Sequence, residues 1–204
     1  MTFQLLGKPV RTGRLVRRLD KGRIEAVASD RESFPFDVFQ VDDGYETDIG
    51  EDTAPYWKTK PSGFQGPNAY FALKNALLRQ FMHRAFWLND PDCLLLRGRE
   101  TELTRNEREL YALSAGALDN MVIVSDKLQL LGREETGLLR RALGLRGGKS
   151  RVEGLLGNDA YLIRSRGGPA GRVALGVNLS DGEAVIAGAP VARRSGEFLE
   201  KGQG

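Results

Sequence analysis

The sequence predicts an α/β chain: a parallel sheet with helices outside it, followed by a small antiparallel β module. Three observations predict it. Between residues 34 and 146, short apolar runs alternate with segments of helical period, which is the order of a parallel sheet with crossover helices. Beyond residue 147 the alternation gives way to short β-rich runs separated by Gly-Asn-Asp, Arg-Gly-Gly-Pro and Ser-Asp-Gly turns, the pattern of antiparallel hairpins. Glycine reaches 25 of 204 residues, most of it after residue 130, where those turns are needed; ordinary usage is about 7%.

The elements follow in order. Residues 1–33 hold a short apolar start, Phe3 to Leu6, a Gly-Lys-Pro turn and a basic stretch from Arg11 to Arg23. Asp37 to Val41 is β-branched and aromatic and ends in Asp42-Asp43-Gly44, a turn signal. Pro67 stands where a helix takes its first-turn proline. Tyr70, Leu73, Leu77, Phe81 and Phe86 then recur near helical spacing up to His83-Arg84. Cys93 to Leu96 is an apolar run short enough for a strand buried on both faces. Thr104-Arg-Asn-Glu107 is a capping box, in which the Thr hydroxyl takes an orphan amide proton and the Glu reaches back to the cap. The helix it opens carries Leu110, Leu113 and Ala117 on one side. Met121 to Val124 reads as another buried strand, and Glu134 to Leu143 as a last helix stopped by Gly144. Strands are expected at Arg151–Leu156, Ala160–Arg164, Arg172–Val177 and Glu183–Ile186, and the last eight or so residues are expected to fray.

Composition narrows the function classes. Thirty basic and 27 acidic side chains leave +3, so the chain is not organised as a strongly basic nucleic-acid binder. At 41% hydrophobic and 28% charged it reads as a folded globular protein. A single cysteine, Cys93, excludes an intramolecular disulfide and a Cys-based zinc cluster and suits a reducing cytoplasm. Lys8, Arg11, Arg14, Arg17 and Arg18 interrupt the first twenty residues, so no secretory leader is expected there. No apolar run is long enough for a membrane span.

In parallel α/β folds, ligands sit outside the carboxyl ends of the strands. The first such end carries Asp42 and Asp43, adjacent carboxylates able to accept hydrogen bonds from neighbouring sugar hydroxyls. Asp52 follows nine residues past Asp43; a carboxyl whose pKa is raised by an apolar wall can act as a general acid, and Tyr56 and Trp57 are the candidates for that wall. An acidic turn capping the next helix accounts for the same residues. Asn89-Asp-Pro-Asp92 reads as a turn whose Asp side chains bond local amides. His83, the single histidine, reads as a packing residue. Gly144-Leu-Arg-Gly-Gly-Lys-Ser150 imitates a phosphate loop, but Arg151-Val-Glu after it is strand-like where such a loop must open a helix.

Several stretches are similar to a known family. Phe34-Pro-Phe-Asp-Val-Phe-Gln-Val-Asp-Asp-Gly-Tyr45 resembles the first barrel strand of the family 36 glycoside hydrolases, the bacterial α-galactosidases (melibiases). Ile49-Gly-Glu-Asp-Thr-Ala-Pro-Tyr-Trp57 resembles the segment bearing their acid/base. The segments Phe81 to Arg97 and Leu118 to Asp126 resemble the last barrel strands, and residues 150–190 the C-terminal β domain. Leu6-Gly-Lys-Pro with Gly13-Arg-Leu-Val16 resembles the opening of the N-terminal β domain.

The resemblance implies three regions: residues 1–33, a remnant of the N-terminal β domain and lead-in; 34–146, a partial (β/α) barrel; and 147–204, the antiparallel β domain. It implies retaining hydrolysis of terminal α-galactosyl residues, with Asp52 as acid/base and Asp42, Asp43 and Trp57 binding the sugar. It implies neither metal nor organic cofactor. The partner expected is an α-galactoside or galactose, with no nucleic acid and no membrane. The family pattern is also incomplete. Roughly 110 residues stand for a barrel that takes about 200 or more. The attacking carboxylate of the family sits in a Lys-x-Asp-Phe strand end, a tetrapeptide that does not occur here. Asp48 replaces the family's arginine four residues before the acid/base, and Lys127 replaces its second aspartate after Ser-Asp. Two readings stand: an α-galactosidase that needs a nucleophile from elsewhere, or an inactive, internally deleted remnant that at most binds galactose. An interaction protein unrelated to sugar is a third. A barrel wedge of this size has bare sheet edges, which predicts self-association.

Overall fold

The computed structural model describes residues 68–126, 128–157 and 159–199, and by backbone alone the strands Thr2–Leu5 (β1) and Val38–Val41 (β2). The elements that follow are helix Ala69–Leu78 (α1), a 3-10 turn at Gln80–Met82, strand Cys93–Leu94 (β3), helix Arg105–Ala117 (α2), strand Ile123–Val124 (β4), a 3-10 turn at Leu128–Leu130 and helix Arg133–Gly144 (α3). Then come Lys149–Glu153 (β5), Ala160–Gly168 (β6), Gly171–Asn178 (β7), Ala184–Ile186 (β8), Ala189–Val191 (β9) and Ser195–Phe198 (β10).

Two larger sheets result. The first is wholly parallel, in the order β2-β1-β4-β3. Thr2 and Phe3 of β1 stand opposite Val38 and Phe39 on one side and Ile123 and Val124 on the other. The strands at 38–41, 93–94 and 123–124 therefore share one sheet, with Thr2–Leu5 inserted between β2 and β4. The described strands form an open sheet, not a closed barrel, with β2 and β3 at its edges. The second sheet is antiparallel, in the order β10-β7-β6-β5, and β8 and β9 form a separate hairpin. Ser195–Phe198 pairs with β7 from Asn178 to Leu175, so the expected fraying does not reach back to Glu197 and Phe198.

One core joins the layers. Leu73 and Leu77 of α1, Leu94 to Leu96, Leu110 and Leu113 of α2, Leu139 of α3, and Ile163, Leu175 and Val177 from one face of the antiparallel sheet are buried together. Helix α2 starts as its sequence dictates: Thr104 Oγ1 accepts the Glu107 N–H at 3.3 Å, and Glu107 Oε2 accepts the Thr104 N–H at 2.7 Å. Helices α2 and α3 meet at Gly116, where an added Cβ would lie 2.1 Å from the Ala142 carbonyl oxygen. Only glycine permits that approach.

Some boundaries differ from the expected ones. Helix α1 is capped by Asn68, whose side chain accepts the Phe71 N–H at 3.0 Å. It ends at Leu78 instead of running to His83. The Asn89 amide donates to the Arg79 carbonyl at 3.1 Å, and the backbone turns back with Arg84 in the left-handed region at φ 62°. Phe81 and Phe86, expected on the apolar helix face, are consequently 69% and 74% exposed. Helix α3 continues through Gly144, and the left-handed glycine that follows is Gly147 at φ 88°. Among the described residues no helix is long and apolar enough to cross a membrane.

Candidate functional site at the carboxyl edge of the parallel sheet

In a parallel sheet every strand points the same way, so two edges of different character result. The loops entering β3 and β4 lie at the amino edge. Here Gln80 is buried and donates to the Leu118 carbonyl and to Ser150 Oγ, both at 2.8 Å, while its own carbonyl accepts the Asn120 amide at 3.0 Å. His83 belongs to this edge. Its Nδ1 accepts the Asn89 N–H at 3.0 Å, and burial lowers its pKa, which favours the neutral form. Asp119 is buried at φ 56° and accepts the Gly147 N–H at 2.9 Å beside Arg84 and Arg146. The Asn89–Asp92 turn forms as expected, with Asp90 Oδ1 accepting the Asp92 N–H at 2.8 Å. Burial raises the Asp90 carboxyl above its ordinary value. These groups build the base of the sheet, although His83 Nε2 and Asn120 Oδ1 are buried without a hydrogen-bond partner.

The carboxyl edge is different. Strand β4 runs out into Ser125-Asp126, and β3 into Leu95-Leu96-Arg97. Asp126 is 3% exposed. Its Oδ2 accepts the Leu96 N–H at 2.6 Å, and its Oδ1 lies 3.4 Å from Arg97 Nη1. The Leu96 carbonyl accepts Arg108 Nη1 at 2.6 Å from α2, and Arg97 Nε donates to the Glu100 carbonyl at 2.9 Å. Burial pushes the Asp126 carboxyl up to about 6, against the opposing pull of the Leu96 N–H and of Arg97. A carboxyl poised near neutrality, held by an arginine at a strand end, can exchange a proton or orient a neighbour. Its burial and its bonds make it a positioning group for the strand ends.

The residues singled out for chemistry in the sequence, Asp42, Asp43, Asp52 and Trp57, lie outside the described residues. What the structure supplies for them is the strand they follow: Val41, the last residue of β2, immediately precedes Asp42 in the chain. Asp126 received no role from the sequence, although an acidic residue directly after an apolar strand is the same signal that singles out Asp42. Cys93 is a buried thiol whose pKa burial pushes up to about 12, which makes it a poor nucleophile.

No family model matches the chain. Part of it is similar in structure to a GH27 β-L-arabinopyranosidase from Geobacillus stearothermophilus, at 13% sequence identity and a TM-score of 0.48, over 80% of this chain and 42% of that one. The chain thus spans less than half of that protein's length.

Proposed function

We propose that the chain is a glycoside hydrolase of the α-galactosidase type, related to the family 36 enzymes, with Asp52 as the acid/base and Asp42, Asp43 and Trp57 as the sugar-binding residues. One observation carries the reading. Val38–Val41 runs parallel with the strands that end in Leu94 and Val124, so the strand followed by the Asp42-Asp43 pair leaves the sheet at the edge that holds Asp126. That is the edge at which α/β folds place their chemistry.

Retaining hydrolysis uses two carboxyls about 5–5.5 Å apart, one to attack the anomeric carbon and one to protonate the leaving oxygen. Asp52 takes the second part. The attacking group comes from another polypeptide chain that carries the missing carboxylate, or from a small anion in solution. The reaction asks for no metal or organic cofactor, and the reducing cytoplasm is its setting, with Cys93 kept as a thiol. Hydrolysis of a chromogenic α-galactoside by the purified chain tests the reading. Galactose-dependent thermal stabilisation without turnover would replace it with the inactive, galactose-binding remnant.

A further inference from the structure

The two faces of the antiparallel sheet are unlike. Tyr161, Ile163, Leu175 and Val177 point into the main core. On the outer face, the β8–β9 hairpin covers one end by packing Ile186 and Val191 with Leu162 and its neighbours Ala174 and Leu199. Beyond the hairpin the face opens into a groove of about 970 Å³ lined by Lys149, Arg151, Arg164, Arg166 and Arg172.

The register of this groove is costly. Lys149 stands directly opposite Arg166, and Arg151 directly opposite Arg164. Like charges facing each other across strands destabilise a sheet, and the period of two keeps all four on one face. One of the two rows has an internal remedy. The Glu153 carboxylate takes Arg151 Nη2 at 2.8 Å and Arg164 Nε at 3.1 Å, so a single carboxylate is shared by arginines of adjacent strands. The second row, Lys149 with Arg166 and Arg172 beside it, has no described carboxylate within ion-pair distance.

We infer that this groove binds an acidic polysaccharide, with sugar carboxylates taking at Lys149, Arg166 and Arg172 the place that Glu153 takes at Arg151 and Arg164. The planar guanidinium fork matches the two in-plane oxygens of a carboxylate. Among the described residues no aromatic side chain lines the groove, so they offer no stacking platform of the kind that single-stranded nucleic acid uses. A concave groove does not fit a flat bilayer. The choice of a sugar polymer rests on the glycoside hydrolase reading; the need for an anion does not.

The test is retention of the full chain on immobilised polygalacturonate, with neutral galactan, a random oligonucleotide and anionic phospholipid vesicles as comparators. Polygalacturonate should bind, and galactan should not. Raising salt from 50 to 500 mM should weaken binding about tenfold or more, as a surface charge contact requires. The double variant Arg166→Gln/Arg172→Gln should lose about tenfold or more in affinity while keeping its circular dichroism spectrum and melting temperature, since both side chains are exposed. Unchanged binding by that variant would overturn the proposal. So would binding to oligonucleotide or vesicles as tight as to polygalacturonate. Hydrolysis of an α-galactoside is read separately, so loss of either result leaves the other interpretable.

Discussion

Asp126 Oδ2 accepts the main-chain N–H of Leu96 at 2.6 Å, and this bond fastens the carboxyl ends of β3 and β4 to each other. Leu96 is held from its other side by Arg108, so the strand end is fixed from β4 and from α2 at once. Asp126→Ala would leave the Leu96 N–H without its acceptor and the buried Arg97 guanidinium without its carboxylate, with the Glu100 carbonyl still accepting from it. A loss of about 2–4 kcal/mol is expected, with Asp126→Asn losing less because its amide oxygen still accepts from Leu96. Urea midpoints of the two variants and the parent protein measure it.

The same carboxyl sets a pH dependence. Burial raises Asp126 from an ordinary 3.8 to about 6 in the folded chain. The folded state therefore holds a proton that the unfolded state has released between those values. Its contribution is fully present below pH 4 and is lost as pH rises through 6, a change on the order of 2–3 kcal/mol. Subtracting the pH profile of Asp126→Asn from that of the parent isolates it. A difference that grows in favour of the parent as pH rises would have the wrong sign.

Gly116 tests the helix packing. Its missing side chain admits the Ala142 carbonyl, so Gly116→Ala gains helix propensity yet forces α2 and α3 apart. The second effect should win, with a net loss of roughly 1–3 kcal/mol. An unchanged melting temperature would show that the helices separate freely.

Glu107 does two jobs. One oxygen completes the capping box, and the other accepts Arg194 Nη1 at 2.9 Å from the turn before β10. Thr104→Ala should cost about 1 kcal/mol, the usual value of a cap. Glu107→Ala should cost more, about 2–4 kcal/mol, because its side chain is buried and Arg194 then loses that partner. A double-mutant cycle with Arg194→Ala separates the cap from the ion pair.

The residues that were legible in the sequence are those whose structure is decided locally. Thr104 and Glu107 form their box from a four-residue pattern alone, whereas the strand expected at Arg151–Leu156 runs instead from Lys149 to Glu153 and stops before the left-handed Gly154. What escaped depends on distant partners. The end of α1 is set by Asn89 reaching Arg79 and by Gln80 bonding Leu118 and Ser150, none of which a helical period reveals. Thr2–Leu5 is only four residues long, and its neighbours at 38 and 123 are chosen by tertiary pairing. At the candidate site, Asp42 and Asp43 were legible as residues following a strand, and Asp126 could have been read by the same rule. The basic groove also had a signal. Lys149-Ser-Arg151 and Arg164-Ser-Arg166 place cations at alternate positions, and only the cross-strand register shows that they coincide.

In the proposed function Asp52 performs acid/base work on an α-galactoside. That role is tested most directly by hydrolysis of a chromogenic α-galactoside with and without added azide, by the parent chain and by Asp52→Asn. Azide can stand in for an absent carboxylate nucleophile. The parent should show turnover that azide raises, and Asp52→Asn should abolish it for poor leaving groups. Absence of turnover in both conditions, from protein with an intact circular dichroism spectrum, would contradict that role.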